Sequence, residues 1–142
     1  MNSLNRYADT VYSITRLVIG LLFACHGGQK LLGFPPSAHP GGTMDTMDMV
    51  SAWIELAGGF LIAFGLFTRI AAFISSGEMA VAYFMAHAAH APTAMAKFFP
   101  IVNQGERAVF YCWFFFFVFF YGAGRLSIDA LIGKKKTVPA AA

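Results

Sequence analysis

The sequence is short of charge. Its 10 Lys+Arg and 7 Asp+Glu make up 12% of 142 residues, about half the usual share in a soluble domain. A chain this small keeps most of its residues near its surface, so a soluble fold would need far more charge. The scarcity excludes a disordered chain, a nucleic-acid module and an ordinary cytosolic enzyme. A net charge of +3 does not reverse this, because the basic residues are scattered at the ends of apolar runs. Cysteine is also scarce. Two residues are too few for a disulfide framework, and Cys25 and Cys112 are isolated rather than a Cys-x-x-Cys pair, which argues against a thiol oxidoreductase. Two buried free thiols are expected instead. Period-two alternation is absent, which argues against a membrane barrel. Gly27-Gly28 lies inside an apolar run and not after a strand, so no nucleotide-binding loop is present. What remains is apolar: 58% hydrophobic and 16% aromatic residues, with 16 Phe. This composition leaves one compact integral membrane domain.

A hydrocarbon core about 30 Å thick takes roughly 20 apolar residues of helix to cross. Four runs approach that length: 11–32, 49–67, 70–91 and 107–123. Helices satisfy their own backbone in lipid, so the expected fold is an all-α integral membrane four-helix bundle, a single domain over 1–142. Gly33 to Asp48, with Pro35, Pro36, Pro40, Gly41 and Gly42, separates the first pair of runs. Pro92 to Glu106 separates the last pair. Thr68 and Arg69 alone join the second run to the third, making these antiparallel neighbours. The first run is not expected to be a cleaved leader. Leu22-Phe23-Ala24-Cys25 only loosely resembles a lipoprotein site, Phe23 is too bulky, and apolar residues continue to Leu32.

Basic residues set the orientation. Arg6, Arg16, Arg69, Arg125, Lys134, Lys135 and Lys136 fall on one side, against Lys30, Lys97 and Arg107 on the other. Both termini are therefore expected in the cytoplasm. Small residues at spacings of four are helix-packing marks: Gly20, Ala24 and Gly28, then Gly59 and Ala63, then Ala72, Ser76 and Ala80. The Phe run from Phe114 to Phe120, broken only by Val118, is expected to face lipid; an aromatic wall for a quinone ring or another subunit is the alternative.

Charges within membrane helices are costly, so each marks a functional site or a structural pair. Depth counted at about 1.5 Å per residue sorts them into two layers. The outer layer holds His26, Gln29 and Lys30 on the first span, Glu55 on the second, and Tyr83, His87 and His90 on the third. A polar pocket of His26, Gln29, Lys30, Glu55 and His87 is the leading candidate site. Lys30 snorkelling to the surface is the bland alternative, as are His87 and His90 at the interface. The inner layer holds Arg16 and Glu78, closed by Arg125, Ser127 and Asp129. Arg16 with Glu78 or Asp129 reads as a structural ion pair more readily than a catalytic one. No metal is expected, because His87 and His90 alone fall short of a zinc set. His26 with His87 is the sole pairing for a haem, and no motif supports it.

These residues also resemble a known family. Arg16-Leu17-Val18-Ile19-Gly20 with His26-Gly27-Gly28-Gln29-Lys30-Leu31, then Glu55-Leu56-Ala57-Gly58-Gly59, then Gly65-Leu66-Phe67-Thr68-Arg69 occur in order. Asn103-Gln104-Gly105-Glu106 and Gly122-Ala123-Gly124-Arg125-Leu126-Ser127-Ile128-Asp129 follow. The sequence thus resembles the DoxX family of small four-helix bacterial membrane proteins, from about Ile14 to Ile132. Ala123 departs from the pattern, where relatives often carry Pro. Glu78, His87 and His90 lie outside it. The resemblance implies a bacterial inner-membrane protein often associated with redox systems, relatives including a subunit of thiosulfate:quinone oxidoreductase.

Three functions follow as expectations. The first is a redox-linked subunit that contacts quinone or a partner oxidoreductase through the outer pocket. Donors such as His26, Gln29 or Lys30 would meet a quinone carbonyl, and Glu55 would exchange protons with the quinol. The second is a small proton-coupled transporter or permeation element, working as a dimer. The third is a structural subunit of a larger membrane complex. Lipid, and either other subunits or a second copy, are the expected partners. No cofactor beyond quinone is called for, and no nucleic acid.

Overall fold

The structure is a computed structural model that describes residues 2–36 and 43–135. Pro40, Gly41 and Gly42 of the first loop and Lys136 of the basic cluster lie outside the described residues. After a helical turn at Asn2–Asn5, six helices follow: α1 (Ala8–Leu32), α2 (Thr46–Phe64), α3 (Thr68–Ala88), α4 (Ala94–Phe98), α5 (Glu106–Tyr121) and α6 (Ile128–Lys135). No strand occurs among the described residues. α1, α2 and α3 are long and apolar enough to cross a membrane. α5 is shorter, with 16 residues.

The helices begin one to three residues before the apolar runs do, and at α2 a polar cap fixes the start. Asp45 opens α2 with a capping box: its carboxylate accepts the Asp48 amide at 2.8 Å, and the Asp48 carboxylate turns back to the Asp45 amide. Helix ends fall where glycine can turn left-handed. Gly33 (φ +65°) stops α1 and Gly65 (φ +70°) stops α2. The link between α2 and α3 is therefore Gly65 to Phe67. Thr68 and Arg69, expected to be that link, are the first residues of α3. α3 ends at Ala88, so His90 lies past it in a turn.

α2 and α3 are not regular throughout. Ile54–Gly58 in α2 and Tyr83–Ala88 in α3 are wider π-helical turns, a rare geometry that frequently occurs at functional sites.

The small-residue stripes act as expected between α1 and α2. A β-carbon on Gly20 would lie 2.6 Å from the Ala63 amide nitrogen, and one on Gly59 would lie 2.5 Å from that of Ala24. The two backbones touch there, which only small residues permit. α3 packs along α5, where the Ser76 hydroxyl donates to the Cys112 carbonyl at 2.9 Å. The core joins these pairs through Phe23, Ile62, Ala72, Tyr111, Phe115 and Val118. The Phe run divides accordingly: Phe115 is fully buried, while Phe116, Phe117 and Phe120 are exposed. Exposed Leu, Val, Ile and Phe side chains continue along α1, α2 and α3, an apolar belt suited to lipid.

Candidate functional site

At the end of the molecule where α2 closes and α6 begins, Arg16 is 1% exposed. Its guanidinium donates to the carbonyls of Ile62, Ala63 (3.0 Å) and Leu126 (2.8 Å). It has neither Glu78 nor Asp129 as an ion-pair partner, so the expected inner pair does not form. Carbonyls at the closing turn of α2 carry the negative end of the helix dipole, and they take the place of a carboxylate. Asp129 accepts from the amides of Phe67 and Thr68, each at 2.9 Å, and from the Thr68 hydroxyl at 2.8 Å. Partial burial pushes the Asp129 carboxyl up, but the Thr68 and Phe67 donors, helped by Arg16, outweigh it and hold it below the ordinary range. Tyr12 donates to the Gly122 carbonyl at 2.5 Å, and Arg125 lies 3.8 Å from Asp9. This layer is a clasp built mainly from backbone acceptors, and its chemistry is structural.

The second polar group lies between α1, α2 and α3. Lys30 does not simply reach out to the surface. Its ammonium bends back to Glu55 Oε1 at 2.8 Å and to Ser51 Oγ at 3.3 Å. Ser51 in turn donates to Glu78 Oε1 at 2.8 Å. Glu55 is 4% exposed and sits in the π turn of α2. The second oxygens of both carboxylates, Glu55 Oε2 and Glu78 Oε2, are buried without a hydrogen-bond partner, as is Ser75 Oγ one turn before Glu78.

Glu78 therefore belongs with Lys30 and Glu55, and not with Arg16 in an inner layer. It lies ten residues into α3, about 15 Å along the axis, which is mid-span, where depth alone assigns it to neither half. Packing of α3 against the π turn of α2 decides the matter. The other expected pocket members go elsewhere. His26 is half-buried with its ring edge-on to Tyr111, centroids 5.9 Å apart. Gln29 reaches the Pro36 carbonyl at 3.4 Å. His87 Nδ1 contacts the Asn103 carbonyl at 3.1 Å, beside the Tyr83 and Asn103 side chains. Both cysteines are free, but Cys25 is exposed and Cys112 half-buried, so the expectation of two buried thiols is corrected.

A groove of about 490 Å³ opens beside this group between α2 and α3. Its walls are apolar, including Val50, Ile54, Ile74, Val81 and Met85. Lys30, Ser51 and Glu78 also line it, with Asp48. The volume and character suit a small organic ligand with one polar end. Sequence reasoning missed Ser51 and this use of Glu78. Ser51 and Glu55 are four apart and so share a face of α2, which was the available signal.

Comparison with known proteins agrees with the apolar helices. No solved structure matches the chain. An uncharacterized protein of Haemophilus influenzae is 42% identical over 137 residues, covering 95% of this chain and 100% of that protein. Residues 11–88, which include Arg16, Lys30, Ser51, Glu55 and Glu78, match the DoxX family. On that match, which spans more than half of its length, the chain belongs to the DoxX family.

Proposed function

We propose that this protein is a four-span protein of the bacterial inner membrane that serves as a redox-linked subunit, contacting quinone or a quinone-linked oxidoreductase through the α2–α3 groove. In this reading α5 is the fourth span of the bundle and both termini are cytoplasmic, as the distribution of Lys and Arg favours. The observation that carries it is the groove itself: apolar walls with an ammonium, a hydroxyl and a carboxylate on one side. A quinone ring has the matching chemistry. Its faces are apolar, and its carbonyls would accept a hydrogen bond from the Lys30 ammonium, which has a third proton beyond those bonded to Glu55 and Ser51. Reduction of the ring takes two electrons and two protons. The partner enzyme would supply the electrons, Glu78 would pass one proton to an oxygen of the bound ring, and the second proton would come from solvent.

Gly77 offers a clean test. It lines the groove, and nothing lies within 4 Å of the place a β-carbon would occupy. Gly77→Phe should fill the groove and leave the helix intact. The full-length protein in nanodiscs should bind a short-chain quinone, and this variant should lose at least about tenfold in affinity, or 1.4 kcal/mol. Wild-type protein that binds no quinone, or binding indifferent to the phenyl ring, overturns the proposal. The buried, unpartnered Ser75 hydroxyl beyond Glu78 favours a second reading, proton-coupled permeation. Flux in proteoliposomes that depends on Glu78 but not on quinone would select it.

A further inference from the structure

Two carboxylates share a single cation in the group beside the groove. Lys30 is 2.8 Å from Glu55 but reaches Glu78 only through Ser51. One ammonium neutralises one carboxylate. A second ionised carboxylate in the same apolar interface would be a net negative charge with little to solvate it. The hydrogen bonds show which of the two is the odd one. Ser51 Oγ accepts from Lys30 and so turns its own proton to Glu78 Oε1. That leaves Glu78 with one neutral donor on one oxygen and none on the other, which is buried. Glu55 has the charged donor.

We propose that Glu78 is a proton-binding site: a neutral carboxylic acid at neutral pH, its proton on the unpartnered oxygen, beside the ionised Glu55–Lys30 pair. The other charges nearby do not alter the count. Asp48 is held in the capping box that opens α2, and His26 on α1 packs against Tyr111. Glu55 and Lys30 are the charged groups that act on Glu78. The position also gives the proton a use. Glu78 lines the groove and Glu55 does not, so a turn of the Glu78 carboxyl would bring its proton to whatever occupies the groove. An acceptor oxygen there receives the proton and leaves a carboxylate. Lys30, already bonded to Ser51, then turns from Glu55 toward Glu78. The site thus favours a ligand that takes up or gives back one proton. This deepens the quinone reading and shares its groove, but the proton can be counted with no quinone present, so either can fail without the other.

Dicyclohexylcarbodiimide tests it, because this apolar reagent adds to protonated carboxyls in membranes and not to carboxylates. Full-length protein in lipid nanodiscs without quinone is treated near pH 7, and the modified peptide is identified by mass. Glu78 should carry the label and Glu55 should not. Labelling should fall about tenfold per pH unit once the medium passes the midpoint of the carboxyl. Lys30→Met removes the cation, and both carboxylates should then label. Glu55→Gln leaves the ammonium free for Glu78, so labelling of Glu78 should drop. An infrared carboxylic-acid band present in the wild type and missing in Glu78→Gln gives a second readout that does not need reagent access. Glu55 labelled as readily as Glu78, or a wild-type protein with no carboxylic-acid band near pH 7, overturns the proposal.

Discussion

Lys30 and Glu55 are the groups whose coupling most directly separates a built site from a lysine that only reaches for the surface. Two unit charges 2.8 Å apart attract by about 6 kcal/mol at an effective dielectric of about 20. The Lys30 side chain is 38% exposed and that of Glu55 is 6%, so solvent reaches one partner and not the other. Screening at the lysine reduces the expected coupling to about 2–3 kcal/mol. The single variants should be unequal. Lys30→Met takes the cation from Glu55, which must then bind a proton to stay buried, and should cost about 3 kcal/mol. Glu55→Gln leaves an ammonium that can turn to water and should cost about 1 kcal/mol. The double variant should cost less than the two together. Unfolding by sodium dodecyl sulfate in mixed micelles, near pH 7 and at fixed ionic strength, measures all four proteins. A coupling below about 0.5 kcal/mol, the size of an exposed pair, would refute the reasoning and return Lys30 to a snorkelling role.

Two further outcomes concern the scaffold. A β-carbon at Gly59 would meet the Ala24 amide nitrogen at 2.5 Å and the Gly20 carbonyl oxygen at 2.7 Å, both backbone atoms that cannot step aside. Gly59→Leu should therefore part α1 from α2 and cost about 3 kcal/mol or more, whereas Gly77→Ala, with open space around it, should leave the thermal midpoint unchanged or raise it. At Asp129 the folded-state carboxyl is held below its ordinary value, so it contributes stability that is complete above about pH 3.9. That contribution fades as pH falls through the depressed value. Wild-type protein should lose thermal stability more steeply toward acid than Asp129→Asn, and identical slopes would count against the clasp.

The features legible in the sequence are those fixed along one chain direction. Apolar length placed the long helices, and the spacing of Gly20 and Ala24 against Gly59 and Ala63 marked a contact that the structure forms. Lys30 and Glu55 could be matched by depth because the apolar runs 11–32 and 49–67 place both in the same half. Glu78 could not, since it sits mid-span and its neighbour depends on which face of α3 meets α2. The π turn around Glu55 adds a residue to that stretch and shifts the faces beyond it, which a regular count of residues per turn does not foresee. Arg16 was misread for a different reason. Its partners are carbonyls, which every residue carries, so no side chain advertises them. His87 likewise turned to the Asn103 carbonyl rather than to a carboxylate.

The guanidinium of Arg16 has a history as well as a place. A ribosome delivers α1 first, and at that moment neither Ala63 nor Leu126 exists to accept its hydrogen bonds. An arginine in mid-helix costs about 2.5–3.5 kcal/mol on entering lipid alone. Arg16 meets its first acceptors only when the end of α2 is made. Its last acceptor, Leu126, arrives only after α5 is complete. The same side chain thus has its full set of partners only once α1, the end of α2 and Leu126 have all been made.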